Sequence, residues 1–145
     1  MSNVSTATIS VDAPLAAVSE LLFALDKYPE WSSSIKAVEV LGRDDLERVI
    51  KAKMTIDAGM MKDRVILDYD WSKAPAVLSF SLDDADLLTA MDGSYEIKSI
   101  DADTTSVTYS LTVDLSMPIP AMMRQKAEKA TIDQALAQLK SVLEA

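Results

Sequence analysis

From Leu46 to Ser116 the chain alternates apolar and polar side chains almost residue by residue, and few architectures can satisfy that rhythm. The cleanest run sets Val107, Tyr109, Leu111, Val113 and Leu115 against Ser106, Thr108, Ser110, Thr112, Asp114 and Ser116. Val65, Leu67, Tyr69 and Trp71 alternate with Arg64, Asp68 and Asp70, and Leu78, Phe80 and Leu82 with Ser79, Ser81 and Asp83. Earlier, Leu46, Arg48, Ile50, Ala52, Met54 and Ile56 share one face opposite Glu47, Lys51, Lys53 and Asp57. Successive side chains of a strand point to opposite faces, so each segment buries one face and wets the other, as antiparallel sheets do. Polar turns separate the runs at Arg43 to Asp45, Asp57 to Gly59, Ser72 to Pro75, Asp83 to Asp86 and Asp101 to Asp103. Parity is open around Met60 to Arg64, so the pattern leaves undecided whether Asp63 and Arg64 face inward.

The flanks follow a different period. Val4 to Val11 reads as another strand, after which Asp12 fits an N-cap and Pro14 the first turn of a helix. Leu15, Val18, Leu21, Leu22 and Leu25 recur at helical spacing until Tyr28-Pro29-Glu30-Trp31 breaks the helix, with a short turn expected over Glu30 to Ser34. After Pro118 and Pro120, a stripe of Ile132, Leu136, Leu139 and Leu143 marks a last helix, with Met122, Met123, Ala127 and Ala130 near its start. Roughly 24 residues at helical rise make it about 35 Å long. The order is strand, one or two short helices, about six strands, one long helix. That is an α+β class with one antiparallel sheet whose apolar face needs a cover. No composition shift or repeat divides residues 1–145, and a single domain is expected.

A long twisted sheet curls, and one helix across its concave face cannot reach every inward side chain. Large side chains must fill the remainder, or it stays hollow. Aromatic residues are only 6% of the chain, while eight methionines offer flexible apolar surface. Both readings, ordinary core and cavity wall, stay open on periodicity alone. Composition narrows the chemistry further. With neither Cys nor His, the chain has no disulfide, no thiolate zinc site, no cysteine nucleophile and no His-based triad or metal site. A formal charge of −9 opposes phosphate backbones, so no nucleic-acid partner is expected. No segment approaches the roughly 20 apolar residues that span a bilayer. Met1 to Ser5 lacks the basic start and apolar core of a signal peptide, and a cytoplasmic location is expected.

Several stretches carry a family resemblance. Val11-Asp12-Ala13-Pro14, Val18, Asp26, Tyr28-Pro29-Glu30-Trp31, Ile35 and Val38 open it; Met91 to Tyr95, Thr104 to Tyr109 and Pro118-Ile119-Pro120 continue it in order. Together they resemble the START-like (SRPBCC) superfamily, and within it the polyketide cyclase/dehydrase and coenzyme Q-binding branch. The resemblance implies a helix-grip fold: a curved seven-stranded antiparallel sheet wrapped around the C-terminal helix, enclosing a tunnel for an apolar ligand. That fold hosts lipid carriers, quinone chaperones, hormone receptors and aromatic cyclases, and does not choose among them.

The expected activity is therefore binding or transport of a hydrophobic small molecule, a lipid, isoprenoid, quinone or polyketide. The wall is expected to comprise Met54, Ile56, Leu67, Tyr69, Trp71, Phe80, Tyr95, Tyr109, Met122 and Met123, with Trp31 near the entrance. A Tyr hydroxyl or Trp N–H inside would orient the ligand. The alternative is a polyketide cyclase or dehydratase, which needs polar groups converging in the tunnel with perturbed pKa values; no catalytic set is identifiable. A third reading, a closed module that binds another protein, predicts a filled interior and an exposed apolar patch. Asp83 to Asp86 and Asp101 to Asp103 read as solvated turns rather than metal loops. Asp68 and Asp70 face water, where Arg64 could pair with one of them. Arg124, Lys126, Lys129 and Glu128 read as a solvated helix face, at most a transient membrane contact. No metal or organic cofactor is implied, and the chain is expected to act as a monomer or homodimer.

Overall fold

The computed structural model describes residues 4–57, 62–116 and 119–145. Its strands are β1 (Ser5–Val11), β2 (Ile35–Arg43), β3 (Val49–Asp57), β4 (Lys62–Asp70), β5 (Val77–Ala85), β6 (Leu88–Asp101) and β7 (Thr104–Leu115). Helix α1 (Leu15–Phe23) and a 3-10 segment (Leu25–Glu30) follow β1, and α2 (Ala121–Leu143) closes the chain. All seven strands form one antiparallel sheet in the order β1-β7-β6-β5-β4-β3-β2. β2 to β7 run as a meander, each strand pairing with its predecessor. β1 instead pairs with β7 at the far edge, so α1 and the 3-10 segment must carry the chain from one edge of the sheet to the other.

The alternation in the sequence becomes the two faces of this sheet. Val65, Leu67, Tyr69 and Trp71 are buried, as are Leu78 and Phe80, and Val107, Tyr109, Leu111 and Val113. Register shifts at Ile35/Ala37, Val40/Gly42, Gly42/Arg43 and Ile66/Leu67 bend the strands that carry them and help to curl the sheet. Those irregularities also correct the expected parity of β3. Ala52, Met54 and Ile56 face inward, but Leu46 and Ile50 are exposed and Val49 takes the inward place. Arg48 bonds Asp44 and lies over the Trp71 ring, 5.4 Å from its centroid.

α2 lies against β1 and β7 and buries Ile132, Leu136 and Leu139, in the expected stripe. One helical turn before Ile132 the stripe continues with Glu128, which is buried rather than part of a solvated face. Helical phase decides this, since residues 128, 132, 136 and 139 project to one side. The same phase turns Met122 and Met123 outward, at 80% and 51% exposure. Pro14, not Asp12, precedes α1, and no side chain caps the helix; the Asp12 N–H instead donates to Glu144. The 3-10 segment occupies Leu25–Glu30, and turn residues follow at Trp31, Ser33 and Ser34, within the stretch where a short turn is expected. Asp83 and Asp84 belong to β5, not to a turn. The expected turn at Asp57 to Gly59 lies partly outside the described residues, as do Met60, Met61 and Pro118. Among the described residues, no helix is long and apolar enough to cross a membrane.

Candidate functional site

Between the concave face of the sheet and α2 lie two small adjoining chambers of about 50 Å³ each. Their shared wall is Tyr28, Ile35, Ile56, Met91, Tyr95 and Tyr109. The sheet-side chamber adds Met54, Leu67, Tyr69 and Phe80, all apolar or aromatic. Its neighbour reaches α2 and adds Trp31, Ser32, Ser34, Thr131 and Ala135. The space thus has an apolar end and a mildly polar end. Neither chamber has an Asp, Glu, Lys or Arg among its described lining residues.

Cross-strand pairing builds the wall. Tyr95 of β6 stands opposite Tyr109 of β7, and their rings stack with centroids 4.2 Å apart. Tyr69 of β4 faces Phe80 of β5 at 5.7 Å. Phe80 in turn stands opposite Gly93 of β6, where only the missing side chain admits the ring. Burial pushes the hydroxyl pKa values of Tyr28, Tyr69, Tyr95 and Tyr109 upward. Ionised phenolate is costly in an apolar site, so these groups stay neutral and offer no base near neutrality.

Of the residues expected to form the wall, Met54, Ile56, Leu67, Tyr69, Phe80, Tyr95 and Tyr109 line the chambers, and Trp31 joins them. Trp71 does not. Its indole donates to the Val49 carbonyl at 2.8 Å and its ring meets Phe23 edge-on, which makes it a packing anchor. Met122 and Met123 lie exposed at the start of α2, away from the wall. Asp63, left open on parity, is buried but spent: its carboxylate accepts the N–H groups of Arg64, Asp86, Leu87 and Leu88 and so holds the β5–β6 turn. Arg64 is exposed and pairs with Asp86, while Asp68 pairs with Lys51.

Tyr28, Ile35 and Met91 were not among the expected wall residues. Met91 keeps the period-two phase of Tyr95 and Ile97, a signal that could have placed it. Tyr28 sits in the 3-10 segment, where no strand alternation reports its direction.

Trp31 also walls a second space. An outer groove of about 470 Å³ runs between α1, the 3-10 segment and the end of α2, lined in part by Leu21, Ala24, Trp31, Val142 and Leu143. Trp31 therefore stands between solvent and the polar chamber. The loop after it is tied to α2 by amide side chains. Ser34 Oγ donates to Gln134 Oε1 at 2.9 Å, and Gln134 and Gln138 both donate to Ser33 Oγ.

A curved seven-stranded sheet gripping a C-terminal helix, with chambers between them, defines a helix-grip protein of the START-like superfamily. Residues 11–140 match the family model described as polyketide cyclase / dehydrase and lipid transport, and the chain belongs to that family. Among curated proteins no sequence matches. Solved structures are similar in fold. A START superfamily protein from Mycobacterium smegmatis superposes with a TM-score of 0.92 at 20% identity, covering 99% of this chain and 98% of its own. TTHA0849 from Thermus thermophilus gives 0.82 at 18%, covering 98% and 97%. The Zhui aromatase/cyclase from Streptomyces sp. R1128 gives 0.74 at 17%, covering 98% and 92%.

Proposed function

We propose that this chain binds a hydrophobic small molecule, a lipid, isoprenoid, quinone or polyketide, in the space between the sheet and α2. The observation that carries the reading is a partly enclosed space walled mainly by Met, Ile, Leu and neutral aromatic side chains, with Ser and Thr at one end and no charged side chain among its described lining residues. Burial of apolar ligand surface, at about 25 cal/mol per Å², supplies most of the affinity. Chambers of about 50 Å³ are smaller than the roughly 300–1,000 Å³ of a usual ligand pocket, so the ligand must widen them. The segment Trp31–Ser34 is the natural entrance, because it belongs to no helix or strand and divides the polar chamber from the outer groove. Cyclase chemistry would need an acid or base in contact with the ligand; the described lining offers no carboxyl or amino group, only buried phenols made weaker acids by burial, and this favours a binder over an enzyme.

Native mass spectrometry of the protein purified from its own cells tests this. A retained apolar adduct, lost in the Tyr109→Ala variant while the fold survives, is the expected result. Catalytic turnover of an offered poly-ketone, or an adduct-free protein that excludes every apolar probe, would overturn it.

A further inference from the structure

We propose that the indole N–H of Trp31 is the hydrogen-bond donor that orients the bound molecule, and that the molecule accordingly carries an uncharged carbonyl oxygen, as a ketone or quinone does. This rests on the binding site proposed above. Trp31 is only 8% exposed, yet among the described residues nothing accepts its indole N–H. Three of the hydroxyls around it are committed, while those of Ser32, Tyr95 and Tyr109 share the chamber wall. Tyr28 gives its proton to the Leu22 carbonyl at 2.6 Å, Ser34 to Gln134, and Thr131 to the Ala127 carbonyl at 2.9 Å. The protein's other indole, Trp71, is satisfied by Val49. A buried donor without an acceptor is costly, and folded proteins leave few of them. Two such donors occur among the described residues: Arg124 Nε, in a guanidinium that already pairs with Asp114, and the Trp31 indole, in a ring that walls the polar end of the chambers.

Chemistry then selects the partner. Indole N–H donates and never accepts, so the ligand must present an acceptor. A carboxylate is a poor fit, because no Lys or Arg is among the described residues of either chamber and its charge would be buried unpaired. A hydroxyl brings a proton that needs an acceptor of its own. A neutral carbonyl brings only lone pairs. The apolar remainder of the ligand would lie toward Met54, Leu67 and Phe80 at the other end.

Three shape-matched probes test the assignment: acetylnaphthalene, ethylnaphthalene and naphthoate, titrated calorimetrically into the full chain and its Trp31→Phe variant. The ketone should bind the native protein about fivefold more tightly than the hydrocarbon, the worth of one neutral hydrogen bond, and naphthoate more weakly than either. Trp31→Phe keeps a ring and removes the N–H, so it should bind ketone and hydrocarbon alike. Proton NMR of the native protein supplies a readout that needs no stable Trp31 variant. Of the two indole signals, told apart with Trp71→Phe, that of Trp31 should move downfield with the ketone and not with the hydrocarbon. Equal affinity of ketone and hydrocarbon for the native protein, or tightest binding of naphthoate, overturns the donor role and leaves the binding site standing. Failure of both neutral probes to bind overturns the two readings together.

Discussion

Gly93 shows how one residue without a side chain shapes the wall. A Cβ at this position would stand 2.8 Å from Phe80 Cε2 and 2.9 Å from Cε1, nearer than real carbons pack. Gly93→Ala should therefore destabilise the protein by about 1–3 kcal/mol, the usual cost of overpacking, as measured by urea denaturation. Adding Phe80→Leu should recover part of that loss; no recovery would mean that the strain lies elsewhere. Glu128 is a second such residue. Only 1% exposed, it accepts from Ser5 Oγ at 2.8 Å and from the Val113 N–H at 2.6 Å, joining α2 to β1 and β7. Glu128→Ala orphans both donors and should cost about 1–3 kcal/mol, whereas Glu128→Gln keeps an acceptor and should cost less. Both roles were hidden in the sequence, where Gly93 is one residue of the Met91 to Tyr95 stretch and Glu128 one charge among several on a helix.

At the scale of elements, α2 is held at both ends and latched in the middle. Glu128 pins its first half. At its end Lys140 donates to the Ser10 carbonyl and to Glu144, which also accepts the Asp12 N–H. Between them, Gln134 and Gln138 hold the Ser33–Ser34 loop through neutral hydrogen bonds, each a weaker tie than one to a charged group. Replacing both glutamines by Ala should leave the melting temperature within a few degrees and raise hydrogen exchange at Ser32 to Ser34. It should also speed entry of an apolar fluorescent probe. Unchanged entry would place the route away from this loop. Most elements were legible beforehand, because periodicity reports directly which side of a strand or helix is buried. The exceptions lie where a bulge resets the phase, as at β3, or where the helical stripe outlasts its apolar residues, as at Glu128.

All four tyrosines of the chain are buried in one place, and this gives the whole molecule an alkaline limit. Burial raises their folded-state pKa values above that of an exposed tyrosine, about 10. Above that pH the unfolded chain loses protons that the native chain retains, so the tyrosines take nothing from stability below pH ~10 and lower it as pH rises beyond that. Each tyrosine can contribute a slope of up to about 1.4 kcal/mol per pH unit. Tyrosinate absorbance should stay flat while the protein is native and then rise in one cooperative step with loss of circular dichroism. Gradual titration near pH 10 in the folded protein would show that water reaches the chambers freely. By itself the sequence determined the succession of elements and the inward rows of β4, β5 and β7, since alternation and helical spacing are local properties of the chain. Packing of helix on sheet keeps Trp71, Met122 and Met123 out of the wall, brings Tyr28 and Met91 into it, and leaves two small chambers among the described residues. Those outcomes depend on how a bent sheet and a helix meet, and volume between elements is written in no single one of them.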